Sequence, residues 1–197
     1  MTYTVVARRG RELASLTVSP SPGVGKRAVW FGPKGVAVVQ ALSSRELARR
    51  AYELLDEPET ALEVVLRDPM AGYRQALLVP REGEVQAFTG AGTVGAKGFV
   101  KARVGETELY CIGNGLASAR VLIEACSVRE EDPLKAVFDM AFAAEAAGGN
   151  ATGSKSAALV YLGSFELFHE VEASPDPVKS LWSSLVAPTP LLALGRN

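Results

Sequence analysis

The chain is predicted to form one α+β domain in which sheets pack against layers of helices. Short β-branched segments occur in pairs joined by turns, and these pairs alternate along the chain with pairs of amphipathic helical segments. This order argues against a doubly wound parallel sheet, in which single strands and single helices alternate. The length of 197 residues suits one domain, and no repeat or linker divides the span 1–197.

The first half is predicted to contain two hairpins, a pair of helices and a further pair of strands. Gly10 and the segment Gly32–Gly35 supply the two hairpin turns. Ser43 or Ser44 caps the first helix, which Pro58 separates from the second. The predicted strands cover residues 4–7, 13–18, 28–31, 36–41, 75–79 and 84–89, and the second helix covers 59–66.

The second half repeats this order of strands, helices and strands. Predicted strands cover 99–104, 108–112, 156–162 and 165–171, and predicted helices cover 118–125, 133–147 and 177–185. Gly148-Gly149 ends the longest helix, because glycine adopts the left-handed end conformation without steric cost.

Charge and hydropathy exclude several classes of function. The net charge is −1, from 21 basic and 22 acidic side chains, so neither a nucleic acid nor an anionic membrane is expected as a partner. The longest weakly charged stretch, Leu181 to Leu194, is too short to span a bilayer and contains Pro188 and Pro190. The first residues lack the pattern of a signal peptide. A cytoplasmic location is therefore expected.

The few residues suited to metal or redox chemistry are scattered. Cys111 lies in a predicted strand and Cys126 in a predicted helix, so both are expected as buried, reduced thiols. His169 has no partner in a recognisable motif. No metal and no cofactor are therefore expected. Arg outnumbers Lys by 14 to 7 and amides are scarce, a pattern common in thermophiles that a GC-rich genome also favours.

A glycine-rich segment, Gly90 to Gly95, has the spacing G-x-G-x-x-G and follows a predicted strand. Dinucleotide binding through this spacing requires a helix directly after the glycines, because the helix N-terminus holds the pyrophosphate. Here the segment 96–100 leads into a strand. The pattern therefore favours a flexible loop at a sheet edge, with nucleotide binding as the alternative.

The sequence from Cys111 to Arg120 predicts a strand, a turn of small residues and a helix in direct succession. Backbone N–H groups converge at such a helix start, so residues Gly113, Asn114 and Gly115 could hold an anion or an oxyanion. The alternative is a tight turn without a functional role.

Two resemblances extend this interpretation. Gly113-Asn114-Gly115-Leu116-Ala117 resembles the G-S-G-x-x-A turn of proteasome β-subunits, which are N-terminal nucleophile (Ntn) hydrolases, and Thr2 to Gly10 is similar to the start of those mature subunits. The whole chain resembles the family called domain of unknown function 1028. The segments that carry this resemblance are 1–8, 73–75, 85–90, 113–117, 146–150, 155–160 and 176–178.

The resemblance implies a four-layer αββα sandwich, with two antiparallel-rich sheets between helical layers. It also implies an amidohydrolase or peptidase whose nucleophile is Thr2 after removal of Met1, acting on a small-molecule or peptide amide. An α-amine has a pKa of about 7.7–8.0 and can accept the hydroxyl proton at neutral pH. Lys26 is the candidate cation beside the nucleophile, since its charge would lower the effective pKa of the hydroxyl.

Further residues are implied as site support. The oxyanion would rest near Gly113–Gly115 or near the turn after the predicted strand 36–41, and Arg74 and Asn150 would line the substrate cleft. The family usually has Asp at position 150 and Gln at position 155, where this chain has Asn150 and Lys155.

A second interpretation stays open, in which the protein kept this scaffold as a non-catalytic binding or assembly module. Thr2 would then be only the first residue of a strand, and Lys26 a loop lysine. In either case a homodimer is expected, because the small side chains Ala141, Ala144 and Ala147 would allow close contact between helices of two copies.

Overall fold

The computed structural model describes residues 1–186, which form ten strands, six α-helices and one 3-10 turn. The strands are β1 (Thr2–Arg9), β2 (Glu12–Ser19), β3 (Val29–Gly32), β4 (Gly35–Ala41), β5 (Arg74–Pro80), β6 (Gln86–Thr89), β7 (Ala96–Val104), β8 (Thr107–Leu116), β9 (Ser156–Leu162) and β10 (Glu166–Val171). The helices are α1 (Val24–Ala28), α2 (Arg45–Glu53), α3 (Pro58–Leu66), α4 (Arg120–Ala125), α5 (Pro133–Ala146) and α6 (Pro177–Val186), and the 3-10 turn is Ala71–Tyr73.

The strands form two sheets. The first has six strands in the order β10-β9-β2-β1-β8-β7, and the second has four in the order β3-β4-β5-β6. Every neighbouring pair in both sheets is antiparallel. The prediction of a mixed α+β protein with two antiparallel sheets is therefore confirmed.

The side chains of each strand alternate between the two faces of its sheet, and this alternation divides the apolar core into three clusters. Tyr3, Val5 and Ala7 of β1 pack with α4, α5 and α6, while Val6 on the other face packs with β4 and β5 of the second sheet. The outer face of the second sheet packs against α2 and α3. Because side chains of a strand point alternately to opposite faces, each sheet is covered on both sides, and the layers run helices, sheet, sheet, helices.

Most predicted elements occur within a few residues of their expected positions, and one difference bears on the site. A short helix, α1, lies between the first two predicted hairpins, where no helix was predicted, and it packs against β9, β2 and β3 at the edge of the inter-sheet layer. Ser44 caps α2, with its side chain accepting a hydrogen bond from the N–H of Leu47. The part of the weakly charged stretch from 187 to 194, with Pro188 and Pro190, lies outside the described residues.

The alanine face of α5 does not have the role that was expected of it. Ala141 and Ala144 are fully buried inside the chain, where α5 packs against β1 and β2. Their small side chains let α5 approach the sheet closely, so this face is not available to a second copy. Ala141 and Ala144 therefore do not supply a contact between copies, and the homodimer itself stays a prediction.

None of the helices within residues 1–186 has the length and apolar character needed to cross a bilayer.

One end of the inter-sheet layer is closed by a buried arginine. Arg8, at 7% exposure, donates to the carbonyl oxygens of Pro80 and Gly83 at 2.8 and 2.9 Å and pairs with Glu108 at 2.6 Å. These contacts join β1 and β8 of the first sheet to the end of β5 in the second. The guanidinium thus fastens the two sheets together at this end.

Replacing Arg8 by Ala is expected to lower the free energy of unfolding by roughly 2–4 kcal/mol, since the carbonyl groups of Pro80 and Gly83 lose a donor and Glu108 keeps only its longer ion pair, with Arg103. The matched control is Arg11→Ala, because Arg11 pairs with Glu82 on the surface and its loss should cost at most about 0.5 kcal/mol. Urea unfolding of both variants measures the difference. Equal midpoints for the two variants would contradict this role of Arg8.

Candidate functional site

The layer between the sheets is apolar over most of its length and polar at the end opposite Arg8. The inward side chains of both β1 and β4 change from apolar to polar with distance from Arg8. On β1 they are Val6, Thr4 and Thr2, and on β4 they are Val36, Val38 and Gln40. The buried polar residues at this end are Thr2, Thr4, Thr17, Ser19, Gln40, Gln75 and Asn114. Such a cluster needs internal hydrogen bonds, because desolvated polar groups without partners are costly.

Gln40, Gln75 and Asn114 form the centre of this cluster. Gln75 Oε1 accepts hydrogen bonds from Gln40 Nε2 at 2.7 Å and from Asn114 Nδ2 at 2.9 Å. Gln75 Nε2 donates to the carbonyl oxygen of Gly113 at 2.8 Å and to Thr89 Oγ1 at 2.9 Å. Because Gln40 and Gln75 belong to the second sheet and Asn114 to the first, these bonds fix the spacing of the two sheets at this end.

Thr2 is held directly by this cluster. Its carbonyl oxygen accepts from Gln40 Nε2 at 3.2 Å and from Asn114 Nδ2 at 3.4 Å. Its hydroxyl lies 3.3 Å from Ser19 Oγ, to which it donates, and it also bonds the carbonyl oxygen of Met1. Thr2 is only 6% exposed. The first residue of the central strand β1 therefore has both its carbonyl and its hydroxyl oriented by neighbouring side chains.

A cavity of about 420 Å³ opens beside Thr2, at Met1, which precedes it in the chain, and at Asn114, which pairs with it in β8; Thr2 itself is covered and is not part of the lining. Its lining consists of Met1, Ala41, Leu42, Met70, Tyr73, Gly92, Thr93, Val94 and Asn114. Met1 lies over Gly115 and its sulfur is 3.5 Å from Thr152 Oγ1. Met1 is thus both part of the cavity wall and the residue that covers Thr2.

The glycine-rich loop forms one wall of this cavity. Gly92 N–H donates to the carbonyl oxygen of Gly72 at 2.7 Å, and a Cβ at position 92 would lie 2.9 Å from the Tyr73 ring. A side chain at Gly90 would collide with the backbone of the 3-10 turn. The glycines therefore let the loop pack against that turn, and β7 follows directly. The expectation of a loop at a sheet edge is confirmed.

The turn after β4 forms the opposite wall. Ala41 has φ +69°, a left-handed conformation that alanine adopts only when its surroundings hold it. The turn is held by a hydrogen bond from the N–H of Leu42 to the Tyr73 carbonyl at 3.1 Å and by Arg74, which donates to the Leu42 carbonyl and pairs with Asp68 at 2.9 Å. The hydrogen bond from Arg74 lowers the pKa of Asp68. Arg74 thus supports the cavity wall without lining the cavity.

The positive charge near the N-terminus comes from Arg27. Burial, followed by the charge of Arg27, lowers the pKa of the N-terminal amine of Met1. Arg27 is held by the carbonyl oxygens of Pro22 and Ser21, at 3.0 and 3.3 Å, and by Ser43 Oγ at 3.2 Å. Its guanidinium therefore connects the loop before α1 to the turn after β4.

Lys26 points elsewhere. Its side chain is exposed and pairs with Glu172, and that contact raises its pKa. Neighbouring residues of a helix project in different directions. In α1 the face that packs against the protein, towards Ala158 and Phe168, is occupied by Gly25, and the adjacent Lys26 projects to the surface. The structure thus brings Arg27, and not Lys26, towards the N-terminus.

The segment Gly113–Gly115 is strand and not the turn that the sequence suggested. β8 continues to Leu116, Thr2 pairs with Asn114, and the six-residue helix α4 begins only at Arg120. Gly115 has φ +62°, and its N–H donates to the carbonyl oxygen of Val94 at 2.7 Å. The small residues are therefore needed for close contact with the glycine-rich loop and with Met1, and no helix start holds an anion here.

Asn150 lies next to the site but does not line the cavity. It is buried and forms an isolated bridge with Leu116. Its Nδ2 donates to Ser154 Oγ at 3.1 Å and to the Val18 carbonyl at 3.4 Å, while its Oδ1 has no partner among residues 1–186. It thus supports the ends of β2 and β8.

The remaining candidates for metal or redox chemistry lie apart from the cavity. Cys111 and Cys126 are free and buried, and burial raises the pKa of Cys126 to about 12. His169 Nε2 lies 2.7 Å from Ser184 Oγ. Within the described part of the chain, no three His, Cys, Asp or Glu side chains are grouped as metal ligands.

Sequence reasoning missed Gln40, Gln75, Ser19 and Arg27 as site residues. A signal for Gln40 was present, because it continues the inward alternation of Val36 and Val38 with a polar side chain. Ser19 likewise ends the inward face of β2. Nothing in the sequence separated Arg27 from Lys26, because their difference in direction depends on helix α1.

The fold and the site together define a class of protein. It is an α+β protein with two stacked antiparallel sheets, helices on both outer faces and a buried polar cluster that orients its second residue beside a small apolar cavity.

The chain belongs to the family of unknown function DUF1028, whose family model matches residues 2–181. It is similar in structure to protein SPO2555 from Silicibacter pomeroyi, which is attributed to the same family. The two share 22% identity and a TM-score of 0.79, over 93% of this chain and 87% of that one. At this identity the likeness shows the fold alone. No curated protein matches the chain.

Replacing Gln75 by Leu is expected to lower the free energy of unfolding by roughly 2–4 kcal/mol, because Gln40, Asn114 and the Gly113 carbonyl each lose a buried partner. The matched control is Gln86→Leu, since Gln86 donates to Glu59 at the surface and should change stability by at most about 0.5 kcal/mol. Chemical unfolding compares the two. A Gln75→Leu variant as stable as the control would show that the cluster does not fasten the sheets.

Proposed function

We propose that this protein is an Ntn hydrolase that cleaves a small amide or peptide, with Thr2 as nucleophile once Met1 has been removed. The observation that carries the proposal is the position of Thr2, at the start of the central strand and at the polar end of the inter-sheet layer, beside a cavity that Met1 helps to line. The order of layers supports a relation to the αββα sandwich of Ntn hydrolases.

The proposed reaction uses groups that are already oriented. Thr2 Oγ1 attacks the carbonyl carbon of the amide and its own α-amine accepts the proton, so that a tetrahedral adduct forms. The C–N bond then breaks and the leaving amine takes the proton from the α-ammonium. Water hydrolyses the resulting ester of Thr2 and restores the enzyme. Ser19 Oγ, 3.3 Å from Thr2 Oγ1, is a positioning residue for the hydroxyl.

The oxyanion needs a donor that is not already engaged. Asn114 lines the cavity, but the two hydrogens of its Nδ2 are taken by Gln75 Oε1 at 2.9 Å and by the Thr2 carbonyl at 3.4 Å, so it orients the site and does not donate to the oxyanion. The left-handed turn at Ala41 presents backbone at the opposite wall. A preorganised donor at such a position typically contributes about 10²–10³-fold in rate.

A second function is favoured by the packing of Met1 if that residue is retained. Met1 contacts Gly115 and Thr152, and the Thr2 hydroxyl then bonds the Met1 carbonyl. The α-amine of Thr2 would be blocked as a peptide nitrogen, and the protein would be a binding or assembly module on this scaffold.

Intact mass and N-terminal sequencing of the natively expressed protein are expected to show loss of Met1. A β-lactone should then acylate the free Thr2 hydroxyl and add the mass of one lactone, because ring opening leaves no by-product. Thr2→Ser should keep the adduct, and Thr2→Ala should lower its rate of formation by at least about 10³-fold. Thr152→Ala is the matched control, because Thr152 contacts the Met1 sulfur but does not line the cavity. Full retention of Met1, or equal labelling of Thr2→Ala, would refute the catalytic function.

The pH dependence of kcat/KM is expected to identify the cation that lowers the pKa of the Thr2 α-amine. The base form of the α-amine is required, so kcat/KM should rise with pH through the pKa of that amine. While Met1 is present, burial and the charge of Arg27 lower the pKa of the Met1 amine, and we infer that Arg27 acts in the same direction on the α-amine of Thr2 once Met1 is removed. Arg27→Ala removes the charge, raises the pKa of the amine and should move the acidic limb of the profile to higher pH.

The adjacent variant Lys26→Ala is the matched control, and its profile should coincide with that of the wild type because Lys26 pairs with Glu172. A shift in Lys26→Ala alone would return the role of assisting cation to Lys26.

A further inference from the structure

The walls of the cavity beside Thr2 are mostly apolar. Six of its nine lining residues have apolar or aromatic side chains: Met1, Ala41, Leu42, Met70, Tyr73 and Val94. Its volume of about 420 Å³ lies in the range of small-molecule sites. The remaining lining residues are Gly92, Thr93 and Asn114, so no charged side chain forms part of the wall.

Nearby charges are directed away from this space. The guanidinium of Arg74 is engaged by Asp68 and by the Leu42 carbonyl. Lys97 Nζ donates to the carbonyl oxygens of Ala91 and Thr93 at 2.8 and 2.7 Å. Apart from the amine at the N-terminus and the charge of Arg27 near it, the cavity offers no charged side chain in its lining. A charged chain end that lies away from the N-terminus would therefore lose its hydration without finding a counter-charge, and that loss is costly.

The rim is also apolar, although it faces solvent. Tyr73 is 56% exposed and Val94 is 59% exposed, and Leu42 and Met70 are exposed as well. Apolar side chains grouped in this way around a concavity mark a binding site more often than a free surface.

Asn114 adds one polar feature. Its Oδ1 is buried and has no hydrogen-bond partner among residues 1–186, while its Nδ2 bonds Gln75 and Thr2. A ligand N–H that donates to Asn114 Oδ1 would satisfy this buried acceptor.

A second cleft, at the Arg8 end, differs in the charge of its lining. It encloses about 490 Å³, and its lining includes Glu84, Lys101, Arg103 and Glu108. A charged ligand group would find side-chain partners there, whereas the lining of the cavity beside Thr2 has no charged side chain, so the chemistry of a ligand distinguishes the two clefts.

We propose that the cavity beside Thr2 binds the uncharged, apolar acyl group of a small amide, with Asn114 Oδ1 accepting a hydrogen bond from an N–H of that ligand. This specificity rests on the proposed function, since the acyl carbon must reach Thr2 Oγ1. The cavity selects aliphatic or aromatic acyl chains and rejects chains that end in a carboxylate or an ammonium group.

A series of 4-nitroanilides of equal length tests this selection with the Met1-free protein. Hexanoyl, 6-aminohexanoyl and adipoyl anilides differ only at the chain end, and the hexanoyl compound should have the highest kcat/KM by at least tenfold. Acetyl, butyryl and hexanoyl anilides should gain about fourfold for each added methylene. Equal rates, or a preference for either charged chain, would overturn the proposal.

Binding to Met1-free Thr2→Ala separates this inference from the proposed function. Hexanamide should bind more tightly than 6-aminohexanamide and adipamic acid in calorimetry. If this order holds while the wild type shows neither hydrolysis nor lactone labelling, the proposed function fails and the apolar selectivity stands. If hydrolysis occurs with a charged acyl group preferred, the function stands and the selectivity is wrong.

A substitution at the cavity rim tests whether the acyl chain binds in the cavity beside Thr2. Val94→Lys places a cation at the cavity wall and should shift the preference from the hexanoyl towards the adipoyl chain. Ile123→Lys is the matched control, because Ile123 is an exposed β-branched residue on α4 and does not line the cavity. The same preference in both variants would show that the acyl chain binds elsewhere and would overturn the proposal.

Discussion

The hydrogen bonds of Gln75 are the constraint on which the site depends. Its Oε1 accepts from Gln40 and Asn114, and its Nε2 donates to Thr89 and to the Gly113 carbonyl. One buried amide therefore joins β4, β5 and β6 of one sheet to β8 of the other. Gln40 and Asn114 in turn hold the carbonyl of Thr2. The first residue of β1 is therefore placed by the same bonds that set the distance between the sheets at this end.

The two ends of the inter-sheet layer illustrate two uses of buried polarity. At the Arg8 end the guanidinium bonds carbonyl groups and Glu108, and the contact is complete within the chain. At the Thr2 end the cluster is left open, because Asn114 Oδ1 has no partner among residues 1–186 and Asn114 lines an apolar cavity. Because a buried acceptor without a partner is costly, the open end is suited to binding a ligand, and the closed end is suited to holding the sheets together.

The cavity walls come from segments whose backbone is fixed by close packing. The loop from Gly90 to Gly95 approaches the 3-10 turn and β8 to distances that exclude a Cβ at several positions. The turn at Ala41 is held in a left-handed conformation by Tyr73 and Arg74. The shape of the site therefore depends on backbone contacts between loops far apart in sequence, while its chemistry depends on Thr2 and the amides behind it.

The sequence by itself determined most of the elements and their order, because alternation, caps and glycine turns are local signals, and the resemblance to known families implied the antiparallel sheets. It also indicated Thr2 and Asn114 through the resemblance to known families. Only the tertiary structure decided that Gly113–Gly115 is strand, that Arg27 and not Lys26 turns towards the N-terminus, and that Ala141 is buried within the chain. The physical reason is that side-chain direction and strand pairing depend on contacts between segments distant in sequence, which no local pattern records.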